Sequence, residues 1–192
     1  MAHDRAGSIR RLATEPGAPA ESYAWFVEAC ERESDGFSAT FVRNLSAEEA
    51  LRRIGVTPGD VSGEGGIEAW AASGGAVLVD YGYVELPEAL SRGTEAATVF
   101  SGFGEEDFVY TVDGVVVTRF ELYLPDWRQG SDPDRLLAHM RDLGMPVEEE
   151  DPDYYRVRIT RALALAERAT SVHLSPAHHA IPAITGSVDG LY

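Results

Sequence analysis

The first ordered pattern in the chain is helical. Tyr23, Phe26, Val27 and Cys30 fall at i, i+3, i+4 and i+7, one apolar stripe of a helix that begins near Glu21. Gly36 breaks it and the period drops to two. Phe37, Ala39 and Phe41 alternate with Ser38 and Thr40, as in a half-buried strand. Ser46-Ala47-Glu48-Glu49 then reads as a capping box, in which the Ser46 hydroxyl accepts the Glu49 N–H and Glu49 reaches back. The helix it opens places Ala47, Ala50, Leu51 and Ile54 on one face, and Gly55 stops it. Residues 57–66 form a loop of Gly, Pro and Asp.

Three hairpins follow. Residues 67–72 and 76–81 flank Ser73-Gly74-Gly75. Residues 95–100 and 108–112 flank a longer Gly-containing loop. Residues 108–112 and 115–123 flank Asp113-Gly114, a dipeptide that supplies the positive φ values of a type I′ turn. A short helix over 87–93 separates the first hairpin from the others. Towards the C-terminus, Asp132 serves as a cap and Pro133 as a first helical residue for a stripe of Leu136, Leu137, Met140 and Leu143, which Gly144 and Pro146 end. A second, Ala/Leu-rich helix spans 156–169. Ser175-Pro176 starts a last short turn. No repeat of solenoid period is present.

Strands joined by hairpins, with helices gathered at the two chain ends, predict an α+β domain. Its sheet is antiparallel, about six strands built from hairpins, with the N- and C-terminal helices packed on it. The connections are too short for a parallel, Rossmann-type sheet. The expected organisation is a flexible leader over 1–20, one α+β domain over 21–180, and a loose tail over 181–192. At 192 residues, 44% of them hydrophobic, the chain is long enough for one real core.

Charge narrows the function classes. The chain has 32 acidic against 16 basic residues, a net −16. Residues 105–153 hold 14 of the acidic residues and only four arginines, so this stretch carries −10 of the total. Such a field opposes nucleic acid and anionic lipid, and favours basic partners or cations. No run of about 18 apolar residues predicts a membrane span, and the Arg-containing N-terminus lacks the apolar core of a secretion signal. One cysteine permits no intrachain disulfide and no multi-cysteine zinc site, which fits a cytoplasmic setting. All basic residues are arginine, so lysine Schiff-base and P-loop chemistry are excluded. With abundant Ala and Gly, that bias reads as a GC-rich genome rather than adaptation to high salt.

Several blocks look familiar in their order. They are Tyr23-Ala24-Trp25-Phe26; Phe41-Val42-Arg43-Asn44-Leu45 running into Glu48-Glu49-Ala50-Leu51-Arg52-Arg53; Gly74-Gly75-Ala76-Val77-Leu78-Val79-Asp80; and Leu90-Ser91-Arg92-Gly93-Thr94. Asp132-Pro133-Asp134-Arg135-Leu136-Leu137 and Ala162-Leu163-Ala164-Leu165-Ala166-Glu167-Arg168 complete them. Together, over about residues 20–176, they resemble a family of actinobacterial domains of unknown function common in Streptomyces-like genomes. The resemblance implies a bacterial cytoplasmic protein and carries over no catalytic residues. The acidic run at 148–153 is not one of its blocks.

Candidate chemistry is sparse. Cys30 sits on an apolar stripe and reads as a small buried hydrophobe rather than a nucleophile. His173, His178 and His179 cluster near the C-terminus; without converging ligands they read as solvated surface residues, and no metal site is expected. Glu105-Glu106-Asp107 reads as a solvated loop before a strand, since it lacks EF-hand spacing. Gly102-Phe103-Gly104 is followed by acids, which argues against phosphate binding. No catalytic motif occurs, and no cofactor is implied.

Two sets of residues remain. The acidic loop offers Glu148, Glu149, Glu150, Asp151, Asp153, Tyr154 and Tyr155 to a basic protein surface. Its expected role is that of a non-enzymatic, accessory, regulatory or immunity-type interaction domain. The alternative is a small-molecule-binding domain or enzyme with a site between sheet and helices, lined by Arg92, Arg119, Glu121 and Trp127. In that cleft Arg119 and Glu121, which share one strand face, would act as anion clamp and acid; otherwise they form a structural ion pair. Oligomeric state is not legible.

Overall fold

The computed structural model describes residues 19–59, 66–82, 87–102, 104–148 and 151–187. The leader at 1–18 and the last five residues lie outside them. The elements are α1 (Ala24–Glu33), β1 (Phe37–Arg43), α2 (Ala47–Arg53), β2 (Gly66–Ala72), β3 (Gly75–Asp80), α3 (Pro87–Leu90), β4 (Glu95–Gly102), β5 (Glu105–Val112) and β6 (Val115–Glu121). They continue with α4 (Leu137–Asp142), α5 (Arg158–Thr170), α6 (Pro176–His179) and β7 (Ile184–Ser187). The fold is α+β, as the hairpin pattern requires. One open antiparallel sheet runs in the order β6-β5-β4-β1-β3-β2-β7. It has seven strands rather than six, because residues 184–187, within the segment read as tail, pair with β2 as an edge strand.

The strands form where the period-two pattern and the turns agree. Asp113 and Gly114 take φ of 49° and 77°, the two positive values a type I′ turn needs, and fix the β5–β6 register. The α2 cap is half as expected. Ser46 Oγ accepts the Glu49 N–H at 3.2 Å, but the Glu49 carboxylate turns to Arg52 and Arg53.

The core has two parts, one on each sheet face. On the larger face, α1, α4 and α5 cover Phe37, Phe41, Val77, Val99, Phe108 and Phe120. On the other, α2 and α3 cover Val42, Ala76, Leu78 and Ala96. β1 is therefore buried on both sides, not half-buried. Thr40 looks solvent-facing in sequence, but its hydroxyl and that of Thr98 satisfy one another through a 2.9 Å bond inside the structure. Asp80 lies on this same side, 3% exposed, and its Oδ2 has no hydrogen-bond partner among the described residues. Burial pushes its carboxyl up, against the backbone N–H groups of Gly82 and Tyr81.

The helix predicted from Asp132 begins five residues later. The backbone N–H groups of Ser131 and Asp132 instead donate to Val116 and Val117 at the open edge of β6. This edge would otherwise present free ladder groups. Gly130, at φ 124°, makes the close approach possible: a Cβ there would collide with the Val117 carbonyl.

Candidate functional site

The register of β5 and β6 builds the site. Phe108 faces Phe120 across the pair, their rings 5.1 Å apart, and both enter the core. Alternation then sends Asp107, Arg119 and Glu121 to the opposite face. Beyond β6 the chain buries Leu122 and turns, with the N–H of Leu124 donating to Glu121 and that of Trp127 to Leu124. Arg128 pins this turn to the Pro125 carbonyl and to Asp134, and Gln129 returns to pair with Arg119. The turn carries Tyr123, Leu124 and Trp127 around the strand ends.

The result is a cavity of about 400 Å³. Its acids are Glu105, Glu106, Asp107 and Glu121; Arg119 is its guanidinium; Tyr123, Leu124 and Trp127 supply apolar wall. Trp127 is 69% exposed, so it is not a core lid. Three of the four residues proposed for a pocket thus line one cavity. Arg92 does not. It lies beside Gly114, at the other end of β5 and β6, roughly 20 Å of strand away. Nor is the cavity between sheet and helices. That space is filled by apolar side chains, and the opening falls at the strand ends.

Glu105, Glu106 and Asp107 are not a solvated loop. They pair with Gly102, Ser101 and Phe100 as the first residues of β5. The carboxylate of Glu106 accepts two N–H bonds from Arg158 on α5, and it is the more buried of the two. The same guanidinium lies 4.7 Å over the Tyr123 ring, donates to the Tyr123 hydroxyl at 3.0 Å and reaches the Tyr155 carbonyl. Arg119 and Glu121, in contrast, are both exposed, and among the described residues neither has an ion-pair partner.

The acidic segment divides. Glu148 is tied to Arg141, and Asp151 accepts the N–H of Asp153 at 3.0 Å. Glu149 and Glu150 lie outside the described residues. Tyr154 belongs to the core, fully buried in the larger cluster, and is not available to a partner. The short 3-10 turn at Tyr154–Arg156 sends successive tyrosines to opposite sides, a placement the acidic context hid. Tyr155 stays outside with its ring 6.0 Å from that of Tyr123, so the end of the acidic segment adjoins the cavity.

The histidines are not simply solvated. His173 Nδ1 faces Glu167 Oε2 at 3.0 Å, an oxygen that also accepts the Tyr23 hydroxyl at 2.6 Å. His178 completes a capping box with Ser175. His179 stacks on Trp70 at 4.8 Å, and burial lowers its pKa. Only the fold brings Tyr23 and Glu167 together, 144 positions apart, so no sequence spacing signalled this network. Among the described residues no group of three or more His, Cys, Asp or Glu can hold a metal ion, and no helix is long and apolar enough to cross a membrane. The Cys30 thiol is buried and pushed up to about 12, chiefly by desolvation.

Among known protein families, a family of unknown function (DUF6461) matches residues 80–180, just over half of the chain. The match takes in every residue of the cavity. No curated protein matches the chain, and no solved structure does.

Proposed function

The chain belongs to the DUF6461 family of unknown function, and from that premise we propose that it is a non-enzymatic interaction domain that binds a basic protein surface at the β5–β6 cavity. One observation carries this reading. Among the described residues, the exposed large hydrophobic side chains are Val115, Tyr123, Leu124, Trp127, Tyr155 and Ile181, and four of these six gather at one acid-lined opening. Exposed aromatics ringed by charge are the usual anchors of protein interfaces. A net charge of −16 steers a basic partner towards them and raises its association rate. The lining holds no histidine, cysteine or serine among the described residues, which supports binding over chemistry. The lysine-free, single-cysteine composition and the block resemblance support an actinobacterial cytoplasm as the setting.

The test is binding of the whole chain to immobilised poly-arginine at low and high salt. The reading expects affinity that falls steeply with salt and drops on Trp127→Ala. No binding at low salt, or equal binding at both, would contradict it.

A second reading is favoured by the concavity itself. A volume of about 400 Å³ falls within the range of small-molecule sites, roughly 300–1,000 Å³. On that reading Arg119 clamps an anionic group of a small ligand. A thermal-shift screen that finds a small molecule stabilising the parent but not Arg119→Ala would favour it.

A further inference from the structure

We infer that the group received by the cavity is a single arginine side chain of the partner; the inference rests on the reading of the site as one for a basic protein surface. The chain carries its own template for the contact. Arg158 places its guanidinium on the Glu106 carboxylate through two donors while lying over the Tyr123 ring. A fork on a carboxylate combined with a guanidinium over a ring suits arginine and not lysine.

On the cavity side carboxylates and an aromatic ring stand together again, beside the Arg119 guanidinium. Glu105 and Glu121 have no ion-pair partner among the described residues, and the Trp127 indole stands exposed beside them. Leu124 offers apolar surface for a methylene stem. A guanidinium stacked on the indole with its edge towards Glu121 satisfies all three at once. The aromatic wall sets the stoichiometry. Arg158 already occupies the Tyr123 ring and the Glu106 carboxylate, so among the described residues Trp127 is the exposed ring of the lining left for one guanidinium.

The experiment titrates the full chain with Gly-Arg-Gly, Gly-Lys-Gly and Gly-citrulline-Gly peptides and follows the Trp127 indole N–H by NMR, assigned by its loss in Trp127→Phe. The arginine peptide is expected to shift that resonance in a saturable way. The lysine peptide should bind about 5- to 10-fold more weakly, and the citrulline peptide, which keeps the shape without the charge, should not bind. Glu121→Gln should weaken the arginine peptide about 5-fold or more, and Trp127→Ala, followed through the backbone amides of residues 119–129 because it lacks the indole, about 10-fold. Both positions are on the surface, so the variants keep the fold. Equal binding of the lysine or citrulline peptide, or unchanged affinity in Glu121→Gln, would overturn the arginine assignment. If poly-arginine and poly-lysine then still bind the parent with steep salt dependence, the basic-surface reading stands without it. Absence of poly-arginine binding at low salt would remove both.

Discussion

Two buried tyrosines should respond to the same substitution with opposite sign. Tyr23 and Tyr154 are both sealed in the larger core cluster, and Tyr→Phe removes one oxygen from each. The Tyr23 hydroxyl donates to Glu167 Oε2 at 2.6 Å, a buried oxygen that also faces His173 Nδ1 at 3.0 Å. Removing that donor costs about 2 kcal/mol, the range for a bond to a charged group. Among the described residues the Tyr154 hydroxyl has no hydrogen-bond partner, although burial raises its pKa and Arg161 sits 5.7 Å from the ring centroid. Removing an unsatisfied buried hydroxyl should add about 1 kcal/mol of stability. The ring contacts, including that of Arg161, survive both changes. The two variants should therefore differ by about 3 kcal/mol, or roughly 6–12 °C in Tm for a chain of this size. Urea denaturation followed by circular dichroism measures it directly. A loss at Tyr154→Phe as large as that at Tyr23→Phe would refute the reasoning, because it would mean that the Tyr154 hydroxyl has a partner.

Three further outcomes are expected. Arg158→Ala leaves the largely buried Glu106 carboxylate unpaired and should cost about 2 kcal/mol; Arg141→Ala removes only the exposed pair with Glu148 and should change urea stability by less than about 0.5 kcal/mol. Asp80→Asn should stabilise the fold at pH 7 by about 1 kcal/mol. The folded carboxyl is raised, so the folded state holds its proton more tightly and stability falls as pH climbs from the ordinary carboxyl value through the raised one. The gain in Asp80→Asn should accordingly vanish below about pH 4, where both states are protonated, in parallel urea titrations. Trp127→Ala should leave Tm within about 2 °C of the parent, since the indole contributes to the surface and not to the core.

The fold was legible where local chemistry and tertiary packing agree. Asp113-Gly114 specified a turn that the backbone makes, and the strands on either side followed. Where they disagree, the sequence misleads for identifiable reasons. Thr40 looks solvent-facing because a hydroxyl satisfied by another inside a protein, here that of Thr98, reads the same as a hydroxyl in water. Glu105-Glu106-Asp107 looks like loop because the cation that permits Glu106 in a strand is Arg158, 52 positions away. Asp132-Pro133 carries a strong helix-start signal, but the edge of β6 claims the backbone first. Arg119, Glu121 and Trp127 were recognisable as a group from strand alternation and the following loop. Arg92 was not separable from them, because a sequence does not say to which end of a strand pair a short helix returns. The tyrosines of the acidic segment were indistinguishable until a 3-10 turn buried one and exposed the other.

The central claim, that a basic protein surface meets this chain at the β5–β6 cavity, is tested most directly by mapping where an arginine-rich peptide lands. Backbone amide shifts of the full chain, recorded during a low-salt titration, should change around residues 104–107 and 119–129 and at Tyr155, and should return on adding salt. Shifts confined to residues 148–153, or spread evenly over the acidic surface with the cavity silent, would contradict it.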